Sequence, residues 1–118
     1  MANSKDFIIK NAVEVGGPTK VTLGTITSGT VDLSTGNYFA ETLAANTTYT
    51  FSNAGDVQAF QLEVTGASTY TITWPASVEW AAGVAPSAPG SGETDVYTFV
   101  TDDTGTTYTG LHTADNLS

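Results

Sequence analysis

His112 is the only histidine in this chain of 118 residues, which carries 12 Asp and Glu side chains and no cysteine. Acyl transfer by a serine or threonine needs a base that is itself oriented by a third group. Any such chemistry here would have to run through His112. It stands near the C-terminus in GLHTADNLS, among small polar residues, and reads as an exposed or capped side chain rather than a general base. Zinc and copper sites draw on sets of Cys and His ligands, and one histidine does not supply them. Asp102 and Asp103 in TDDTG lack the EF-hand spacing and have the composition of a hairpin turn. A glycosidase needs two opposed carboxyls across a cleft. Glu63, Glu79, Glu93 and Asp95 show no spacing that singles out such a pair, and in so acidic a chain they read as solvated surface. We therefore expect no catalytic residue, no metal site, no cofactor and no enzymatic activity.

Aromatic side chains are the other candidates for chemistry. Rings on a β-surface can stack on sugar faces, and Trp74, Trp80, Tyr97 and Tyr108 are the side chains available for that. Both tryptophans fall in TITWPASVEWAAGVAPSAPGSGETDVYTFVT, residues 71 to 101, beside a loop rich in proline and glycine. Trp74 continues the alternation of Tyr70 and Ile72. That places it in the core, with its indole N–H expected to bond a loop carbonyl. Trp80 is equally suited to a subunit contact or a sugar platform, since aromatic residues are enriched at interfaces.

Charge narrows the partners. The formal net charge is -9; Lys5, Lys10 and Lys20 are the only basic side chains apart from His112, and there is no arginine. Nucleic-acid binding draws its affinity from Lys and Arg on phosphates, so DNA, RNA, nucleotides and anionic membranes are set aside. The three lysines make residues 1 to 20 a mildly basic arm, suited to an acidic partner surface or to solvating an edge strand. No segment approaches the roughly 20 apolar residues of a membrane span, and the start lacks an apolar run of signal-peptide length. The expectation is a soluble protein that is not secreted, its 118 residues fitting one domain with a single core.

The elements that must position these residues read as strands. TTYTFSN (47 to 53), TYTITW (69 to 74) and DVYTFVT (95 to 101) alternate threonine with aromatic or aliphatic residues. Tyr49 and Phe51 share a face, and Val96, Thr98 and Val100 oppose Tyr97 and Phe99. In VQAFQLEV (57 to 64), Phe60, Leu62 and Val64 oppose Val57, Ala59 and Gln61. Turn signals fall at GGP (16 to 18), SG (28 to 29), STGN (34 to 37), NAGD (53 to 56), TGAS (65 to 68) and DDTG (102 to 105). ETLAAN (41 to 46) reads as a loop, and no stretch carries a helical stripe. We expect an all-β protein of about eight strands in two antiparallel sheets, a β-sandwich of jelly-roll-like or other Greek-key arrangement. Residues 1 to 20 are the arm and first strand, and residues 21 to 118 the body. The segment 81 to 93 is too long for a hairpin turn.

A resemblance goes further. The stretch TWPASVEWAAGVAPSAPGSGETDVYTFVTDDTGTTYTG resembles a segment that recurs near the C-termini of tailed-bacteriophage virion structural proteins, including tail-fibre and capsid-associated proteins. Its pattern is a TWP-x-x-V-x-W core, a GG-x-AP-like loop, a T-D-V-[YF]-x-F strand and a D-G-like hairpin followed by an aromatic strand. Thr73, Trp74, Pro75, Val78, Trp80, Gly83, Ala85, Pro86, Thr94, Asp95, Val96, Tyr97, Phe99, Thr104, Gly105, Tyr108 and Gly110 match it, while Ala82 stands where a second glycine is common. The front, KDFIIKNAVEVGG, is similar to N-terminal strands of phage virion proteins. The resemblance implies that Trp74, Pro75, Trp80, Pro86, Tyr97 and Phe99 are structural or interface anchors, that Glu93 to Thr101 returns as a central strand, and that copies assemble as a homotrimer. It implies a capsid decoration or cement protein on the virion surface, assembled in the host cytoplasm on the major capsid protein, with Lys5, Lys10 and Lys20 on a partner-contact arm. The choice of shell over fibre rests on length, since a fibre subunit needs an attachment region and shaft. The alternative is a tail-fibre or receptor-binding component that recognises host glycans.

Overall fold

The computed structural model describes residues 12, 16 to 18 and 21 to 118. Lys5, Lys10 and Lys20 lie outside the described residues, as does most of the arm. The alternating runs become strands: β1 (Thr25–Thr27), β2 (Thr30–Asp32), β3 (Tyr38–Thr42), β4 (Thr47–Thr48), β5 (Thr50–Ser52), β6 (Gln58–Thr65), β7 (Ile72–Thr73), β8 (Val78–Glu79), β9 (Thr94–Thr101) and β10 (Tyr108–Leu117). A 3-10 turn, Ala81–Gly83, interrupts the segment after β8.

The largest sheet has the order β3-β6-β9-β10-β8, with β9 at its centre as expected of the segment that follows Glu93. Two smaller sheets among the described residues have the orders β1-β2-β5 and β4-β7. Phe60, Leu62 and Val64 of β6 and Tyr97 and Phe99 of β9 are buried on one face of the large sheet. They meet Val31 and Phe51 from a smaller sheet and Tyr49, which lies between β4 and β5. Phe51 makes edge contacts with Phe60 at 5.0 Å and Tyr108 at 5.1 Å between ring centres, and this contact joins the layers. The packing is thus sandwich-like, with one aromatic core between strand layers.

The strictly antiparallel expectation needs correcting. The pairs β2/β5, β3/β6, β4/β7 and β8/β10 are parallel, while β1/β2, β6/β9 and β9/β10 are antiparallel. This is a mixed, curled sheet with small companions, not an antiparallel jelly roll, and six of the ten strands among the described residues are only two or three residues long. After β3 the chain leaves the large sheet and forms β4 and β5 in the smaller ones. It then returns beside β3 in the same direction, which is what a parallel pairing requires.

The turns fall where the small polar residues stand. Ser28 and Gly29 both have positive φ (49° and 83°) between the antiparallel strands β1 and β2, the geometry of a tight two-residue hairpin turn. Asn53, Ser68 and the Thr104-Gly105 pair adopt the same left-handed region in three of the other expected turns.

Candidate functional site

Trp74, just past β7, lies half-buried at the junction of the layers. Its ring stacks on Tyr49 at 5.4 Å and meets Tyr97 at 4.7 Å and Trp80 at 5.3 Å, with Phe99 at 5.6 Å. Four of the six residues expected as anchors, Trp74, Trp80, Tyr97 and Phe99, thus lie in ring contact with one another. One detail is corrected: the Trp74 indole nitrogen is buried and has no hydrogen-bond partner among the described residues, so no carbonyl of the described loop receives it. Pro75 provides the turn into β8 by accepting the Val78 N–H at 3.1 Å.

Trp80 lies across β10. A side chain at Gly110 would place its Cβ 3.0 Å from Cε3 and Cζ3 of Trp80 and 2.6 Å from Val78, so the glycine is what lets the indole approach. Beside it opens a groove of about 670 Å³, walled by Trp80, Val84 and Pro86 on the loop side and by Thr109, Leu111 and His112 on β10. Of the four aromatic side chains available for sugar stacking, only Trp80 lines it. Tyr97 and Tyr108 are in the core, and Trp74 is enclosed by rings.

At one end of the groove, His112 has a partner that sequence reasoning missed. Asp95, on β9, is 2% exposed, which corrects its reading as solvated surface. Its Oδ2 stands 2.9 Å from His112 Nε2 and accepts the Tyr97 hydroxyl at 3.3 Å, while Oδ1 accepts the Asn116 N–H at 2.8 Å. The His112 ring stacks on Tyr97 at 5.0 Å with 15° between planes. Burial, and then the Asp95 charge beside it, raises the Tyr97 hydroxyl above its usual range. The signal for Asp95 was present, because it shares the strand parity of Tyr97 and Phe99. Nothing in the sequence showed that β10 would bring His112 opposite Tyr97.

Asp103 and Glu41 serve local structure. Asp103 accepts from the Thr107 N–H at 2.9 Å and hydroxyl at 2.6 Å and from the Thr101 hydroxyl at 2.9 Å, as a turn residue should. Glu41 accepts from the Tyr49 hydroxyl, and burial followed by that bond raises the phenol well above its usual range. Among the described residues no serine or threonine hydroxyl bonds to His112, whose one hydrogen-bond partner is Asp95. The arrangement gives an oriented imidazole without a nucleophile. Comparison with known proteins gave no match to any protein family, characterised protein or solved structure.

Proposed function

We propose that this chain is a non-enzymatic structural protein of a tailed-bacteriophage virion, a decoration or cement protein that docks on the major capsid protein of the assembled shell as a homotrimer. Besides the resemblance of the TWP-to-TG stretch, the observation that carries this reading is the outward face of the large sheet. Strand register puts Ala59, Gln61, Val96, Thr98, Val100, Thr109 and Leu111 on it. Its polar side chains satisfy one another: Gln61 donates to Thr98 at 3.4 Å, the Thr98 and Thr113 hydroxyls lie 3.0 Å apart, and those of Thr65 and Thr94 2.8 Å apart. In a chain of net charge -9, the described carboxylates on this face are Glu63 and Glu79 alone. A surface with few charges to desolvate suits a docked protein.

Copy number in purified virions tests the reading, with hundreds per particle expected for a shell protein and a few tens or fewer for a tail component. Cosedimentation with empty capsids should follow the same division. The basic arm is proposed to reach an acidic neighbour, so deleting residues 2 to 10 should weaken shell binding while the body stays folded; unchanged occupancy would remove the arm from the interface. Salt should matter only modestly, since exposed ion pairs contribute about 0 to 1 kcal/mol each.

The groove beside Trp80 favours a second reading, a receptor-binding component for host glycans. An indole wall flanked by Thr109 and His112 offers a stacking face with polar neighbours. Binding on a glycan array that is lost in Trp80→Ala, without cosedimentation on shells, would select it.

A further inference from the structure

We infer that Asp95, His112 and Asp115 form a binding site for one divalent transition-metal ion of the zinc class. Three donor atoms, one from each residue, all lie within 4.8 Å of one another. His112 Nε2 is 2.9 Å from Asp95 Oδ2 and 3.9 Å from Asp115 Oδ1. Around tetrahedral zinc with bonds of roughly 2.0 to 2.2 Å, donor atoms are about 3.3 to 3.5 Å apart. The separations of 2.9 Å and 3.9 Å at His112 Nε2 fall on either side of that spacing, and the exposed Asp115 side chain can swing inward to close the longer distances.

The backbone is irregular where the set is assembled. In a regular strand, residues 112 and 115 face opposite sides of the sheet. Here the β9/β10 register shifts between His112 and Ala114 and again between Ala114 and Leu117, and Asn116 has a φ of 58°. These irregularities bring Asp115 back to the side of His112 and Asp95, a use of bulges that recurs beside functional sites.

Electrostatics point the same way. Asp95 is buried, and residues 21 to 118 hold no lysine or arginine, so His112 is the one side chain there that can carry positive charge. A second carboxylate, Asp115, stands near the same ring nitrogen. One Nε2 proton serves the nearer oxygen and leaves Asp115 at 3.9 Å unserved, whereas a divalent ion at this point serves both. The surrounding shell fits a ligand set: the Asn116 N–H and the Tyr97 hydroxyl fix the Asp95 carboxylate, and the Tyr97 ring fixes the plane of the imidazole. A mixed nitrogen and oxygen set favours zinc and its neighbours over calcium or magnesium. Asp115 has a side chain 76% exposed, so an ion can enter from solvent and keep water on its remaining positions.

The test uses the full chain without a histidine tag, titrated with ZnCl2 by calorimetry and followed by NMR of the imidazole ring. Because His112 is the only histidine, its ring signals report on this site alone. We expect about one equivalent to bind, with the His112 ring signals shifted or broadened in step, and Asp115→Asn and His112→Gln each to weaken binding by about tenfold or more. Asp115 is exposed, so its variant should retain the parent fold, and the parent's ring signals decide the question even if His112→Gln does not fold. No binding, zinc uptake that leaves the His112 signals unmoved, or equal uptake of CaCl2 that survives His112→Gln would each overturn the site.

Discussion

Trp74 concentrates the energetics of this molecule at one side chain. It touches Tyr49, Trp80, Tyr97 and Phe99, so truncation removes contacts from both layers at once. Trp74→Ala should cost about 3 to 5 kcal/mol, a large share of the 5 to 15 typical of a domain, and should give unfolded or aggregated protein. The unpartnered indole N–H adds a sharper expectation. A buried donor without a partner costs about 1 to 3 kcal/mol, so Trp74→Phe recovers that penalty while losing ring area. It should fall within about 1.5 kcal/mol of the parent in thermal or urea unfolding. A Trp74→Phe variant as unstable as Trp74→Ala would show that the indole's size, not its place among the rings, sustains the junction. Trp74 was readable as a core residue because Tyr70, Ile72 and Trp74 alternate in TYTITW. Its orphaned nitrogen was not, since alternation tells which way a side chain points and not what waits there.

The hairpin from β9 to β10 and the start of β10 are where local sequence commits the fold. Asp103 accepts three hydrogen bonds across that turn, and the bonds from Thr107 chiefly hold its carboxyl below the ordinary value of 3.8. A carboxyl depressed in the folded state contributes stability that is fully present above its unfolded pKa and is lost as pH falls through the folded one. Asp103→Asn should therefore flatten the acid limb of stability below about pH 4, measured as melting temperature against pH, with its largest deficit near neutrality. Equal deficits at pH 3 and pH 7 would exclude this linkage. Farther along β10, Gly110→Ala would push a methyl against Val78 and the Trp80 ring. We expect a loss of about 1 to 3 kcal/mol and a red-shifted tryptophan emission as Trp80 lifts toward water; an unshifted spectrum would mean that the ring accommodates the methyl. DDTG, NAGD and SG were legible as turns because their residues tolerate positive φ, which Ser28, Gly29, Asn53, Thr104 and Gly105 adopt. Gly110 carries no such mark, because its constraint is the indole that crosses it from another segment.

At the scale of the whole molecule, what was legible was chemistry along each strand, and what was not was the partner each strand would choose. Phe60, Leu62, Tyr97 and Phe99 announced the inner face by parity, but no turn signal told the chain to place β6 parallel to β3, because that direction depends on the strands threaded in between. The same separation held at the candidate metal site: Asp95 and His112 were both visible as residues, and only the β9/β10 register made them neighbours. The outward face of the large sheet is likewise a product of register, which gathers uncharged positions from strands distant in sequence. Thr98 sits near its centre, half-buried, with Gln61 and Thr113 as partners. Thr98→Asp should leave the free domain folded, at a cost of about 1 kcal/mol or less for an outward strand position. On a shell the added carboxylate would have to be desolvated against a partner surface, a penalty of several kcal/mol in which each 1.4 kcal/mol is tenfold in affinity. Occupancy on empty capsids should then drop by at least about tenfold, while a matched Thr69→Asp change, in an exposed turn outside that face, should leave it unchanged. Full occupancy by a folded Thr98→Asp protein would place the contact elsewhere. Equal losses from both variants would mean that net charge, rather than this face, governs docking.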